Sequence, residues 1–183
     1  AAPGFAVVVP DLFWRQGAAL TELPDQSEKA TNKAFELYQK FDVEKGVDDI
    51  AASLRWLREN ENTSGKTAVV GYCLGGLLAF LSGCQLDIDA AIGYYGVGIE
   101  KNLQHKNMIR KPMMLHFAEN DAFVPAETRK ELEENFSDSD LVSIHNYKGC
   151  DHGFARTGGG NYDKAAAEIS DTRTLALLKK SLT

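Results

Sequence analysis

One cysteine of this chain lies where a protein can expose a nucleophile on a tight turn. The stretch Gly71-Tyr72-Cys73-Leu74-Gly75-Gly76 has the form G-x-nucleophile-x-G, in which a strained strand-to-helix turn presents one reactive side chain. We expect Gly71 and Gly75 to be required because a Cβ at either position would crowd the turn. Gly76 is expected to let the following helix pack close to the strand. The pattern predicts nucleophilic catalysis by Cys73, and an unreactive strand-to-helix turn is the alternative.

Two residue types that a thiol nucleophile needs follow later in the chain. Asp121 comes after a predicted strand at 113–118, and His152 comes after another at 142–147. Functional groups gather at the carboxyl ends of the strands in a parallel sheet. The order Cys73, Asp121, His152 is that of an α/β-hydrolase triad. Taken singly, Asp121 could only cap the next helix and His152 could be an ordinary loop histidine.

The local chemistry predicts how such a thiol would work. A free thiol has a pKa of about 8.5, so only a small fraction is thiolate at neutral pH. A neighbouring histidine and the amino end of the helix that begins at Leu74 both favour the anion. The Leu74 amide follows the nucleophile and is therefore expected to be one donor of the oxyanion hole.

The elements that must position these residues alternate between strand and helix. This alternation predicts one α/β domain over residues 1–183, an α/β-hydrolase fold with a mostly parallel sheet and helices on both faces. A connection at 11–24, which holds Trp14, is a candidate site-lining loop. The predicted strands are 5–9, 66–70, 90–95, 113–118 and 142–147, and the predicted helices are 25–38, 43–59, 74–81, 126–136 and 163–180.

Composition excludes several function classes. The 183 residues carry a net charge of −6 and are 44% hydrophobic and 25% charged, as in an ordinary globular protein. The acidic balance argues against nucleic acid or an anionic membrane as partner, and no apolar run is long enough to span a bilayer. Three cysteines, Cys73, Cys84 and Cys150, make no disulfide framework and no metal-ligand spacing. We expect a cytoplasmic protein without a metal.

Five stretches in order along the chain carry a resemblance to a known family. They are Pro10-Asp11-Leu12-Phe13-Trp14-Arg15-Gln16, Gly71-Tyr72-Cys73-Leu74-Gly75-Gly76, Gly93-Tyr94-Tyr95-Gly96-Val97-Gly98, Asp121-Ala122-Phe123-Val124-Pro125 and Asp151-His152-Gly153-Phe154-Ala155-Arg156. With them the chain resembles the dienelactone hydrolase (carboxymethylenebutenolidase) family, cysteine-dependent members of the α/β-hydrolase fold. The resemblance implies hydrolysis of enol-lactones to maleylacetate-type products without a cofactor. It assigns Cys73 as nucleophile, His152 as base and Asp121 as the partner that orients the base.

The same resemblance implies substrate-binding residues. Arg15 and Arg156 match the positions that bind the substrate carboxylate in the family, and arginine suits bidentate carboxylate recognition. Tyr95 and Trp14 are expected to wall the pocket. Both arginines could instead be surface residues, and both aromatic residues could be ordinary core residues. Gly153 stands where some relatives carry serine, which affects fine substrate preference.

The resemblance also implies parts that this sequence lacks. Family members carry a second oxyanion donor and a glutamate before the strand that matches 5–9, and neither has a counterpart here. We therefore expect the first strands to be missing and the intact protein to be longer, or the sequence to be truncated. We expect a monomer that acts on a small anionic lactone or ester. A general esterase or thioesterase and a catalytically idle fragment are the alternatives.

Overall fold

The computed structural model describes residues 4–17 and 27–183. The chain divides into two compact units, Ala1–Thr63 and Ser64–Thr183. The expectation of a single domain stays a prediction.

Two helices make up most of the described part of the first unit. α1 spans Glu28–Gln39 and α2 spans Val43–Arg58. Each begins at a capping side chain: the Ser27 hydroxyl accepts the N–H of the third following residue, and so does the Asp42 carboxylate, which satisfies a donor that the helix itself leaves unpaired. The boundaries agree with prediction within a few residues, although the expected start of α1 at Asp25 lies outside the described residues.

The strand predicted over 5–9 is absent. Residues 5–9 have no regular secondary structure, and the side chains of Val7 and Val9 are exposed. A strand is held by hydrogen bonds to a neighbouring strand, and the described elements of the first unit are only helices and one 3-10 turn, Trp14–Gln16. An apolar run that suits a strand therefore stays irregular here.

The second unit contains a four-stranded sheet in the order β1-β2-β3-β4, with every pair parallel. Each strand is followed by a helical segment, which is the connection that parallel pairing requires. The strands are β1 Ala68–Tyr72, β2 Ala90–Tyr94, β3 Met113–Ala118 and β4 Val142–Tyr147, and the helices are α3 Leu74–Gln85, the 3-10 segment Glu100–Met108, α4 Ala126–Phe136 and α5 Lys164–Leu182.

Helices cover both faces of this sheet, as predicted. A Cβ at Gly93 of β2 would lie 3.0 Å from a backbone oxygen of α3, that of Gly76. The next residue along β2, Tyr94, points the other way and hydrogen-bonds Thr174 of α5 at 2.6 Å. Because successive side chains of a strand point to opposite faces, α3 and α5 lie on opposite sides of the sheet.

A buried polar cluster fastens α5 to the middle of the sheet. His116 of β3 is fully buried, and its Nδ1 lies 2.8 Å from the Tyr147 hydroxyl while its Nε2 lies 3.2 Å from Thr174 Oγ1. Burial lowers the pKa of His116 to about 3, so the ring stays neutral. Its two hydrogen bonds offset the cost of burying its polar atoms, which makes it a structural histidine.

Candidate active site

Cys73 lies on a strained turn between β1 and α3. Its backbone has φ 56° and ψ −116°, in the positive-φ region that a residue with a side chain rarely adopts. The Cys73 N–H donates to the Tyr94 carbonyl at 3.0 Å, so a hydrogen bond from the neighbouring strand end supports the strained turn. The turn and its two flanking elements are those that the glycine pattern predicts.

The three glycines of the turn do not all have the expected role. A Cβ at Gly71 would lie 1.8 Å from the Gly75 carbonyl oxygen, and one at Gly76 would lie 2.7 Å from the Tyr94 carbonyl oxygen. Both positions therefore need glycine. The expectation for Gly75 is wrong, because a Cβ there meets nothing within 4 Å. The backbone of Gly75 occupies the space beside Gly71, whereas the position of a Gly75 Cβ is open.

Asp121 and His152 meet at the carboxyl ends of β3 and β4. Asp121 Oδ2 lies 2.7 Å from His152 Nδ1, and their side chains are 0% and 17% exposed. The other carboxylate oxygen, Oδ1, accepts the Phe123 N–H at 2.8 Å. Both acceptor atoms of a fully buried carboxylate thus have partners, which holds Asp121 in one orientation toward the imidazole.

Cys73 lies near enough to His152 to act on the pKa of its imidazole, so the three predicted residues lie in one region. Burial by itself lowers the pKa of His152, but the hydrogen bond to Asp121 and the nearby Cys73 outweigh it and raise that pKa to about 9. A raised pKa favours the protonated, positively charged imidazole at neutral pH. The roles of Cys73 as nucleophile and of His152 as base stay predictions.

Two aromatic rings enclose the His152 imidazole. The Tyr95 and Phe123 rings each lie edge-on to it, with ring centres 4.9 Å away in both cases. Tyr95 itself has φ 39°, and its N–H donates to the His116 carbonyl at 2.6 Å. Tyr95 therefore lies beside the reactive groups, as expected, although its contact with a substrate stays a prediction.

The predicted oxyanion donor and one predicted arginine also belong to this region. Leu74 is the first residue of α3, and the first amides of a helix have no partner within it, so its N–H suits an oxyanion. Burial raises the pKa of the Tyr95 hydroxyl, whereas the charge of Arg156 acts on that pKa in the opposite direction. Arg156 is exposed, and its role in binding a substrate carboxylate stays a prediction.

The other two predicted substrate residues belong to the first unit. Arg15 forms an ion pair with Asp49, with Nη2 at 2.8 Å from Oδ1 and Nη1 on Oδ2, and its guanidinium stacks 4.5 Å from the Trp14 ring centre. Trp14 Nε1 donates to the same carboxylate at 3.2 Å. The predicted role of Arg15 on a substrate carboxylate stays a prediction.

Some residues of the site were not identified from the sequence. Phe123 is two residues after Asp121, but nothing in its type indicates that its ring contacts His152. Asn161 donates from Nδ2 to the His152 carbonyl at 2.9 Å, a contact between loop residues that no local pattern predicts. Glu119 and Asn120 contact the loop that carries His152.

Among residues 4–17 and 27–183 no group of three or more His, Cys, Asp or Glu side chains is arranged to hold a metal ion. No helix in the same ranges combines the length and apolar character needed to cross a bilayer.

The parallel sheet, the strained cysteine turn and the histidine–aspartate contact together define a protein of the α/β-hydrolase class. The sequence model of the dienelactone hydrolase family matches residues 1–182. This chain belongs to that family, whose members hydrolyse esters and lactones.

Individual relatives agree with this assignment. The chain is 41% identical over 175 residues to a carboxymethylenebutenolidase of Pseudomonas putida, which covers 96% of this chain and 74% of that protein. It is equally similar to carboxymethylenebutenolidase 1 of Cupriavidus pinatubonensis, with the same identity and coverage. Among solved structures, a putative dienelactone hydrolase from Klebsiella pneumoniae superimposes with a TM-score of 0.80 at 19% identity, over 93% of this chain and 73% of that one; this likeness concerns the fold.

Proposed function

We propose that this chain opens enol-lactones of the dienelactone type through a Cys73–His152–Asp121 triad, without a cofactor. The observation that carries the proposal is the pairing of His152 with a fully buried Asp121 in the neighbourhood of a cysteine on a strained turn. The identity to carboxymethylenebutenolidases supports the substrate class.

In the acylation step the Cys73 thiolate adds to the lactone carbonyl carbon and forms a C–S bond. The negative charge moves to the carbonyl oxygen, where the Leu74 N–H stabilises it. When the intermediate collapses, the ring C–O bond breaks and the departing enolate oxygen takes the proton of His152. The product at this stage is an acyl thioester on Cys73 that carries a free enol, which becomes a ketone in water.

In the deacylation step a water molecule replaces the thiol. His152, now neutral, takes a proton from this water while the water oxygen adds to the thioester carbonyl carbon. Collapse expels the Cys73 thiolate and releases the carboxylic acid, so the enzyme returns to the thiolate–imidazolium form. Asp121 keeps the imidazole in the tautomer and orientation that both proton transfers need.

Substrate selection is proposed to rest on a carboxylate of the lactone. Arg156 lies within electrostatic reach of Tyr95, which itself contacts His152. Arg156 is therefore proposed to pair with the substrate carboxylate at one side of the reacting carbonyl. The proposal also includes a small-molecule substrate, a cytoplasmic location and a monomeric protein, which are predictions from the sequence.

The test compares turnover of a carboxylate-bearing enol-lactone with that of a neutral aryl ester, in the parent protein and in Cys73→Ala. The proposal expects a higher kcat/KM for the lactone, loss of both activities in Cys73→Ala, and a covalent acyl adduct on Cys73 by mass spectrometry in the parent. A preference for the aryl ester makes the protein a general esterase and overturns the substrate assignment. Absence of any hydrolysis, with Cys73 unreactive to iodoacetamide, overturns the catalytic assignment.

A further inference from the structure

The loop that carries Asp121 and the loop that carries His152 are joined by four hydrogen bonds before either catalytic residue is reached. Two of these are between backbone atoms: the Glu119 N–H donates to the Tyr147 carbonyl at 3.0 Å, and the Asn120 N–H donates to the Cys150 carbonyl at 2.8 Å. They extend the pairing of β3 with β4 past the strand ends. Backbone atoms alone make them, so they do not depend on side-chain type.

The other two hydrogen bonds come from side chains and converge on one residue, Gly149. The Glu119 carboxylate accepts the Gly149 N–H at 2.8 Å through Oε2, and Asn120 Nδ2 donates to the Gly149 carbonyl at 3.2 Å. Two consecutive residues of one loop thus hold both polar backbone groups of a single residue in the other loop.

Gly149 is the residue of that loop whose backbone conformation these two hydrogen bonds restrict most. Its φ is +73° and a Cβ there would meet nothing within 4 Å, so neither packing nor a side chain restricts it. Glycine loses more conformational freedom on folding than any other residue. Because Gly149 precedes His152 by three residues, its dihedral angles set where the imidazole lies relative to Asp121.

We propose that Glu119 and Asn120 are positioning residues. Their hydrogen bonds to the Gly149 backbone fix the conformation of the loop that places His152 against Asp121. The assignment rests on the proposed triad. It adds two residues that touch neither the reacting atoms nor the imidazole. Glu119 acts through an acceptor oxygen for the Gly149 N–H, and Asn120 acts through an N–H donor, because a carbonyl oxygen can only accept a hydrogen bond.

The direct test is the titration of His152 measured by NMR on the full chain, in the parent and in Glu119→Ala, Asn120→Ala and Glu119→Gln. The chain has four histidines, and the spectrum of His152→Gln identifies the signal of His152. Glu131→Ala is the matched control, because Glu131 is an exposed glutamate on α4 and its loss removes the same charge. Glutamine at 119 keeps an acceptor oxygen without the charge.

We expect both alanine variants to lower the pKa of His152 from about 9 toward the ordinary histidine value of about 6.5, since a looser loop weakens the hydrogen bond to Asp121. Glu119→Gln and Glu131→Ala should titrate like the parent. In the lactone assay the alanine variants should lose about tenfold in kcat with KM within about twofold, less than the roughly hundredfold that a 1 Å misplacement can cost. Asn120→Ala gives the same test should Glu119→Ala fail to fold.

Two results would overturn the assignment. One is an unchanged His152 titration in both alanine variants, and the other is a Glu119→Gln variant as impaired as Glu119→Ala, which would reduce the role of Glu119 to its charge. The titration needs no substrate and is therefore independent of the proposed function. That function fails separately, if His152→Gln hydrolyses the lactone at the parental rate.

Discussion

Gly71→Ala is the substitution whose effect the structure fixes most closely, because the atoms that it would bring together are all backbone or Cβ. The new Cβ would lie 1.8 Å from the Gly75 carbonyl oxygen, 2.2 Å from the Gly75 carbonyl carbon and 2.9 Å from its Cα. Atoms of this kind pack at about 3.5 Å. The start of α3 must therefore move by roughly 1.5 Å relative to β1 to admit one methyl group.

The expected cost follows from this displacement. Overpacking typically destabilises by about 1–3 kcal/mol, and we expect Gly71→Ala at the upper end, about 3 kcal/mol, because backbone cannot rotate away as a flexible side chain can. Cys73 lies between the two clashing residues, so the displacement also moves the nucleophile. Since a 1 Å misplacement can cost about a hundredfold in rate, we expect kcat/KM to fall at least that far.

Gly75→Ala is the matched control within the same turn. Its Cβ meets nothing within 4 Å, and replacing glycine by alanine inside a helix is worth about 0.5–1 kcal/mol. Gly75→Ala should therefore unfold at the same or a higher urea concentration than the parent and keep its reactivity.

The assays are urea unfolding followed by circular dichroism and the rate of Cys73 alkylation by iodoacetamide. Cys73→Ala supplies the background from the two buried cysteines, Cys84 and Cys150. The reasoning is refuted if Gly71→Ala keeps the parental unfolding midpoint and alkylation rate. It is equally refuted if Gly75→Ala is the more damaging of the two.

Four further outcomes are expected at the site. Asp121→Asn should lower kcat by a factor of the order of a thousand or more, because the amide leaves His152 in the wrong tautomer; a loss under tenfold would contradict a triad. The pKa of His152 is raised to about 9, so kcat/KM should fall as the pH rises through about 9, and an activity that still increases there would contradict the ion pair. The stability contributed by protonated His152 should likewise be complete below about pH 6.5 and be lost as the pH rises through about 9, as pH-dependent urea unfolding of the parent and His152→Gln would show. Arg156→Ala should reduce the preference for carboxylate-bearing lactones over neutral esters, whereas the control Arg110→Ala, which removes an arginine that hydrogen-bonds the Asn107 and Ile109 carbonyls, should not; equal preference in both variants would remove Arg156 from substrate binding.

Local signals predicted most of the second unit correctly. The predicted bounds 113–118, 126–136 and 142–147 coincide with β3, α4 and β4, because turn residues and apolar runs mark them within the segment itself. The glycine pattern likewise predicted the strand, the turn and the helix around Cys73. The prediction of a strand over 5–9 was wrong for a non-local reason. Its apolar run is a local signal, but a strand also needs a neighbouring strand from another part of the chain.

Residue types and their order along the chain were enough to predict which three residues lie at the ends of neighbouring strands, Cys73, Asp121 and His152, since each follows a strand of a parallel sheet; their catalytic roles stay a proposal. Only the tertiary structure decided how these groups are held. Three features depend on where separate loops meet. They are the packing of the Tyr95 and Phe123 rings against His152, the hydrogen bonds of Glu119 and Asn120 to Gly149, and the open space at Gly75. Such contacts are made through space between residues far apart in sequence, so no pattern along the chain specifies them.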